Sequence, residues 1–402
     1  MKETDRNRLL KRGVSEIIVE EEFLERLNTG KPLRLKMGFD PSAPDIHVGH
    51  AVGLRKLRQL QEIGHKVVLI VGDWTAQIGD PSGRSQTRPM LTKSEVMINA
   101  ETYMKQFFKI IDEQKTETRF QSEWFGTFTI ADVIKLTSRF TVAQFLARED
   151  FAKRYRSNHP IAITELLYPL LQAYDSVAVK SDVEFGGTDQ KFNLLVGRDL
   201  QEMMGDKPQQ CFIMPLLPGT DGIQKMSKSL GNYIGISEPA NDIYGKTMSL
   251  PDSMIIEYLE NVTDIPEGEL SDARVALKDN SGDPMELKKR LARELVQQFH
   301  GESEALRAQD YFERTVQRRE LPQGTEDYKI YSITEASEKK LTKILVDTGL
   351  AVSTSDARRI IAQGGIELNG NKLPGEVIKL ELNPGDVMRV GRRGFLKIVR
   401  DS

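Results

Sequence analysis

The sequence predicts an α/β protein: a parallel-sheet domain, then an all-helical segment, then a small α+β unit. Three observations predict it. Through residues 1–235, apolar runs of strand length alternate with amphipathic stretches of helical period, the pattern of a parallel sheet with crossover helices. From 236 to 325 helical periods follow one another without strands. Residues 338–402 return to short strands and turn dipeptides around two short helices.

The elements follow in order. Strands are expected at 33–39, 66–73, 116–121, 177–184 and 211–216. A helix over 48–63 places Leu54, Leu57, Leu60 and Ile63 at helical spacing, and Gly64 stops it before the next strand. A helix over 94–111 does the same with Val96, Tyr103, Phe107 and Ile110. Strand–helix–strand units of this kind build a Rossmann-like sheet. Helices at 242–248, 252–261, 269–278, 284–300 and 302–319 make up the helical domain. Pro322 and Gly324 lie among polar residues that read as linker from 319 to 331, and the linker between domains is set at 326–337. In the last unit, helix 339–348 ends before Gly349, and Ser353 or Ser355 can cap a helix over 356–363 that Gly364 and Gly365 stop. Asn369-Gly370 signals a hairpin between 366–368 and 372–373, and Asn383-Pro384-Gly385 a turn before the strand at 387–390.

The 402 residues carry a net charge of −3, which hides an asymmetry. Residues 338–402 hold 12 Lys/Arg against 8 Asp/Glu, a net of +4, so the rest carries −7. A basic appendage on an acidic body points toward nucleic acid, with chance clustering on a solvated surface as the plain alternative. No apolar run approaches the roughly 18 residues of a membrane span. The start, Met1-Lys2-Glu3-Thr4-Asp5-Arg6, lacks the apolar core of a signal peptide. Cys211 is the only cysteine, so no internal disulfide forms and no zinc site can be built from cysteine. A cytoplasmic protein is expected.

Two motifs carry the chemistry. His47-Val48-Gly49-His50 follows the first strand at the start of a helix, where free N–H groups and the helix dipole favour anions. The histidines are three apart, not the four of a helical two-histidine zinc site, and no third ligand is evident. Gly49 lets a base or ribose approach the backbone. Lys225-Met226-Ser227-Lys228-Ser229 lies in a loop between Gly222 and Gly231. Its lysines are point charges on long stems, suited to a polyphosphate that gains charge during reaction. Met226 is placed to anchor the loop, with Ser227 and Ser229 as donors. Capping histidines and an exposed Lys/Ser loop are the plain alternatives to each motif alone.

With Gly38-Phe39-Asp40-Pro41 ahead of the histidines, the two motifs resemble those of class I aminoacyl-tRNA synthetases. Tyr168-Pro169-Leu170-Leu171-Gln172-Ala173-Tyr174-Asp175, Gly186-Gly187-Thr188-Asp189-Gln190 and Ile78-Gly79-Asp80-Pro81-Ser82-Gly83 resemble the amino-acid pocket of bacterial tyrosyl-tRNA synthetases, of the subgroup with an intact Lys-Met-Ser-Lys-Ser loop. The final unit resembles a small RNA-binding domain first known from a ribosomal protein. The resemblance covers essentially the whole chain and implies specific roles. Tyr168, Gln172 and Asp80 match residues holding the amino group of tyrosine, and Asp175 the one bonding its hydroxyl. Gln190 matches a residue near the activated carboxyl, Asp40 and Asp189 residues around the adenylate. Gly38, Gly49, His47, His50, Lys225, Met226 and Lys228 match the ATP site, and Ser229 completes the loop. Arg84 and Arg88 stand where the family has a mobile basic pair assisting the pyrophosphate. The bland explanation of Tyr168, Gln172 and Asp175 is one face of an amphipathic helix, but that face is polar on a leucine-rich helix.

Two positions depart from the pattern. Lys36 stands where the best-known members have a tyrosine touching the phenol hydroxyl, so it is expected to supply that contact or, if the strand alternates strictly, to point elsewhere. Gly53 stands where many relatives have a small polar residue near the ribose. The expected activity is tyrosine activation by ATP, with Mg2+ on the nucleotide and no metal cage of protein carboxylates, then transfer to tRNA(Tyr) by a homodimer. A tryptophan-specific relative, a non-catalytic RNA-binding protein on this scaffold and a stand-alone nucleotidyltransferase remain as alternatives.

Overall fold

The computed structural model describes the chain except residues 1–2, 43–44, 83–90, 319, 322–327, 335–336, 377–378, 392–393 and 402. Its first half is built on six strands: β1 (Glu16–Ile18), β2 (Arg34–Phe39), β3 (Lys66–Val71), β4 (Thr116–Phe120), β5 (Val183–Gly187) and β6 (Gln210–Met214). They lie in the order β1-β6-β5-β2-β3-β4, all parallel except β1, which pairs antiparallel with the edge of β6. β3 reads Lys-Val-Val-Leu-Ile-Val and buries five of its six residues, as a strand covered on both faces must. No periodic signal marks β1, because three residues are too few for a period to register.

The longest helices joining these strands are α1 (Val48–Glu62), α2 (Lys93–Phe107), α3 (Ile163–Ala178) and α4 (Lys191–Met203). α2 opens on a capping box in which the Thr92 hydroxyl accepts from the Glu95 N–H and the Glu95 carboxylate takes the Thr92 N–H. The strand expected at 177–184 is corrected. Residues 177 and 178 complete α3, Lys180 turns the chain in the left-handed region (φ 50°), and the strand starts at Val183. Val179 is buried with Val68, Ile70, Trp124 and Phe125, so these apolar residues extend the helix's buried side rather than a strand.

By contact, the chain divides into two units: residues 1–239 with 246–301, and 240–245 with 302–402. This does not follow the bounds expected at 235 and 325. Helices α5 (Ile255–Val262) and α6 (Pro284–His300) belong to the first unit, where α5 contacts both α1 and α6. The cause is polar as well as apolar. Arg12 donates to the carbonyls of Leu259, Glu260, Thr263 and Ile265 at the end of α5, and Arg55 of α1 reaches Asp264 at 2.7 Å.

In the second unit, β7 (Lys329–Ile333), β8 (Ser337–Lys340), α7 (Leu341–Asp347), α8 (Thr354–Ala362), β9 (Ile366–Leu368), β10 (Asn371–Lys372), β11 (Lys379–Leu382), β12 (Val387–Val390) and β13 (Gly394–Arg400) follow in order. Five strands form a sheet in the order β10-β9-β12-β13-β7, and β11 pairs with β8. Ile344, Leu345, Ile361, Met388, Leu396 and Ile398 are among the residues of its core. Ser353 caps α8 by accepting from the Asp356 N–H, and Asn369 and Gly370 turn the β9–β10 hairpin with φ of 51° and 81°. The linker expected at 326–337 is corrected in part: residues 329–333 are β7, paired parallel with β13.

Candidate active site

Ligands of open parallel sheets lie outside the carboxyl ends of the strands, where the strand order reverses. Here that point is β2, with β3 on one side and β5 on the other. A cavity of about 280 Å3 opens there. Each parallel strand delivers residues to its wall from its carboxyl end: Asp40 after β2, Gly72 after β3, Gln121 after β4, Gly187 and Asp189 at and after β5, Pro215 after β6.

At one wall lies the start of α1. His47 is its N-cap in extended conformation (φ −126°, ψ 170°), and the His47 N–H donates to His50 Nδ1 at 3.2 Å. An acceptor role at Nδ1 leaves the proton of a neutral imidazole on Nε2, so His50 offers a donor. Burial, with Lys225 and Lys228 nearby, lowers the His50 pKa to about 4, offset in part by the bond from His47. Burial also lowers that of His47, helped by His50 and the two lysines. Both rings are therefore neutral at pH 7, 4.0 Å apart, and the buried His47 Nδ1 has no partner among the described residues. A side chain at position 49 would stand 3.0 Å from the His47 ring, which would have to shift to admit it.

The second motif is brought to the first by the backbone. The Val48 N–H donates to the Ile234 carbonyl at 2.9 Å, and His47 bridges Gly235. Within the loop, Met226 is buried, its N–H bonds the Leu217 carbonyl, and Asn232 Oδ1 accepts from the Ser227 N–H. Lys225 lines the cavity and is paired with Asp189. Lys228 is not part of the wall: it pairs with Asp45 at 3.0 Å and lies 5.7 Å from the Tyr233 ring. The Ser229 side chain, Arg84 and Arg88 lie outside what the structure describes.

At the far wall, α3 presents Tyr168, Gln172 and Asp175, all lining the cavity. The Tyr168 hydroxyl donates to Asp40 Oδ2 at 2.8 Å; burial, with Asp40 and Asp80 beside it, raises its pKa well above the usual phenol value. Asp175 is buried. Its Oδ2 accepts from Gln121 Nε2 at 2.8 Å and its Oδ1 from Trp124 Nε1 at 3.1 Å. Desolvation raises its pKa to about 7, against the pull of Lys36 and these two bonds. Gln190 Nε2 donates to Asp80 Oδ2 at 2.7 Å. Gly38, Gly49, Gly53 and Asp189 also line the wall, and Met37 and Met214 crowd the space a side chain at 53 would need.

Lys36 is a correction. It does not line the cavity but is fully buried, donating to the Gln172 carbonyl (2.8 Å), Ser176 Oγ (2.9 Å) and Glu184 Oε1 (2.9 Å). Strict alternation along β2 sets it on the side facing α3. Sequence reasoning missed Gln121 and Trp124, which hold Asp175, and Glu184, which holds Lys36. Gln121 had a usable signal, being the first residue past a parallel strand.

The chemistry of this cavity has two ends: an acceptor, Asp175, held by two N–H donors, and donors from His50 and Lys225. Comparison with known proteins bears on the whole chain. Residues 28–317 match the family model described as tRNA synthetases class I (W and Y). The chain belongs to this class I aminoacyl-tRNA synthetase family. Residues 320–385 match a second model, the Tyrosine--tRNA ligase SYY-like C-terminal domain. A Tyrosine--tRNA ligase of Dehalococcoides mccartyi is 57% identical over 395 residues, 98% of each chain. One of Thermotoga maritima is 51% identical over 393 residues, 97% of this chain and 96% of its own. Among solved structures, a C-terminally truncated mitochondrial tyrosyl-tRNA synthetase of Aspergillus nidulans superposes with a TM-score of 0.66 at 22% identity, covering 78% of this chain and 94% of that one. A tyrosyl-tRNA synthetase of Archaeoglobus fulgidus complexed with L-tyrosine gives 0.62 at 24% identity, covering 76% and 99%. These likenesses show that the synthetase fold is shared.

Proposed function

We propose that this synthetase activates L-tyrosine with ATP and transfers it to tRNA(Tyr). The observation that carries the reading is the buried carboxylate of Asp175, aligned by Trp124 and Gln121 at one end of a cavity whose other end holds the two motifs. A phenol hydroxyl donates to such an acceptor, whereas a phenyl ring has no donor to offer it. The relatives matched over nearly the full length bear the same name, and none of those quoted is a tryptophan enzyme.

The tyrosine carboxylate attacks the α-phosphorus in line, and pyrophosphate leaves with the electron pair of the broken P–O bond. No group on the protein is covalently modified, so catalysis is positioning plus electrostatic stabilisation. Asp80, Tyr168 and Gln172 hold the amino group, and Gln190 lies near the carboxyl. Asp40 and Asp189 face the adenylate, with Gly38 and Gly49 allowing close approach. His47, His50, Lys225 and Lys228 meet the polyphosphate, which requires the lysines to leave Asp189 and Asp45. Arg84 and Arg88 assist the departing pyrophosphate. Among the described residues no group of three or more His, Cys, Asp or Glu is arranged to hold a metal ion. Mg2+ would accompany the nucleotide, where phosphates and water would hold it and it would neutralise part of their charge.

In this reading residues 1–235 perform the chemistry, while 236–325 and the basic unit 338–402 grip the tRNA through phosphates and shape. The assembly is a homodimer. Ile130 (81% exposed), Ile134, Val142, Tyr155 and Ile163 (79%) supply uncovered apolar surface within one stretch of the chain. No helix among the described residues is long and apolar enough to cross a membrane, and the cytoplasm, where tRNA is charged, is the site of action. Acceptance of radiolabelled tyrosine by tRNA from a tyrosine-tRNA transcript tests the reading: charging supports it, and an enzyme that charges a tryptophan-tRNA transcript instead overturns it.

A further inference from the structure

Beside the cavity lies a lysine–glutamate pair with no surface of its own. Lys36 and Glu184 are register partners on β2 and β5, and both side chains are fully buried. All three ammonium donors of Lys36 are used. Glu184 Oε1 accepts from Lys36 and from Gln172 Nε2 (3.0 Å); its Oε2 accepts from Ser176 Oγ (3.1 Å) and Gln209 Nε2. Taking two charges out of water is costly, and a pair of this kind is often no more stable than apolar residues of similar volume. Stability alone does not account for it.

The pair ends a chain of amides whose direction is fixed throughout. A carboxylate only accepts, so the Gln172 amide must turn its NH2 to Glu184 and its oxygen the other way. That oxygen accepts from Asn193 Nδ2 at 3.0 Å. The second hydrogen of Asn193 Nδ2 goes to Gln190 Oε1 at 3.2 Å, and Gln190 Nε2 donates to Asp80. Asn193 itself is held by Arg148, whose Nη1 donates to its Oδ1 at 3.2 Å. Glu184 at one end and Asp80 at the other thus allow one orientation for each amide between them. Gln172, Gln190 and Asp80 line the cavity; Lys36, Glu184 and Asn193 do not.

We propose that Lys36 and Glu184 are a positioning pair that fixes which end of the Gln172 amide the cavity offers, and through Asn193 that of Gln190, so setting the affinity for the amino acid. The proposal rests on the reading that this cavity holds tyrosine. Lys36 holds Glu184 Oε1 in place with one donor while its other two fix the Gln172 carbonyl and Ser176 Oγ of α3. A neutral amide in place of Glu184 could donate as well as accept and so would permit the flipped Gln172.

The test uses the full-length enzyme in tyrosine-dependent ATP–pyrophosphate exchange. Lys36→Met combined with Glu184→Gln removes both charges at once and leaves no isolated one to unfold the core. The expected result is a KM for tyrosine raised ~10-fold or more, about the worth of one hydrogen bond offered the wrong way round, with the KM for ATP and kcat nearly unchanged. A merely structural role would lower the active fraction, and so kcat, without moving KM. An unchanged KM for tyrosine in the folded double variant overturns the proposal. If that variant does not fold, Asn193→Asp keeps the charge pair but removes both hydrogens from the middle of the chain; it must raise the tyrosine KM likewise, and an unchanged value overturns the proposal equally. Wild-type enzyme that fails to exchange with tyrosine would overturn the reading of the cavity instead.

Discussion

Asp175 carries the largest consequence of any single side chain. Tyrosine offers it a hydroxyl, and phenylalanine would leave a buried acceptor without that partner. Sites built to bond a hydroxyl reject the analogue lacking it by on the order of 10⁵, a figure that comes from tyrosine-specific enzymes of this same class rather than from this chain. Asp175→Ala is expected to collapse the tyrosine/phenylalanine ratio of kcat/KM, while Lys36→Ala, one shell removed, should move that ratio less; equal collapse in both would contradict this ranking. The raised pKa of about 7 adds a pH signature. Both carboxylate oxygens accept from N–H donors, so the ionised form is the one the site is shaped for. The KM for tyrosine should rise as pH falls from 8 to 6, and the KM for ATP should not follow; a flat tyrosine profile would contradict the assignment. For stability the sign is opposite. The native state holds this proton between about 4 and about 7 where the unfolded chain has released it, so this one group costs stability as pH rises through that window. The neutral histidines behave differently: with His50 at about 4, its titration should be absent from activity profiles above pH 6.

Elements decide how these residues meet. The loop from Lys225 to Leu230 is tied down by Met226 and Asn232, while its two lysines rest on Asp189 and Asp45. Their release toward the polyphosphate strengthens as charge develops, so Lys228→Ala should depress adenylate formation by ~3 kcal/mol in the transition state and leave tyrosine affinity nearly intact. Pre-steady-state adenylate formation and equilibrium tyrosine binding separate the two effects; equal losses in both would sink the assignment. Arg12 joins α5 to the sheet unit by bonding four carbonyls, and Arg12→Ala should lower stability by about 2 kcal/mol or more, read as an earlier thermal transition. No shift would mean that water replaces the guanidinium without loss. These elements also show what the sequence made legible. The motif at His47, the polar face of α3, the Ser353 cap and the Asn369-Gly370 hairpin were readable because their signals are local. The end of α3 was not, since Val177 and Val179 suit helix or strand equally until their packing is known. Trp124 and Glu184 were invisible for a related reason: a polar residue's role is set by the partner it meets across the fold, and neither period nor spacing encodes that partner.

At the scale of the molecule, the charge asymmetry implies separable tasks. Cutting the chain after Glu320, ahead of β7, should preserve tyrosyl-adenylate formation and abolish most transfer to tRNA. Transfer by the full chain should fall steeply with salt, because phosphate contacts release counterions, while adenylate formation should respond weakly. Full charging by the shortened chain would remove the RNA-binding role from residues 338–402. The β-strand at 329–333 explains why the boundary was misplaced from sequence: polar residues beside Pro322 and Gly324 read as linker, yet every residue of β7 finds a parallel partner in β13 sixty or more positions later. The central claim is that one cavity accepts tyrosine, and tyrosine alone, for reaction with ATP. ATP–pyrophosphate exchange measured separately with each of the twenty amino acids tests it most directly. Exchange with tyrosine and background levels with the other nineteen is the predicted result; exchange with tryptophan or phenylalanine at a comparable rate, or with none, would contradict it.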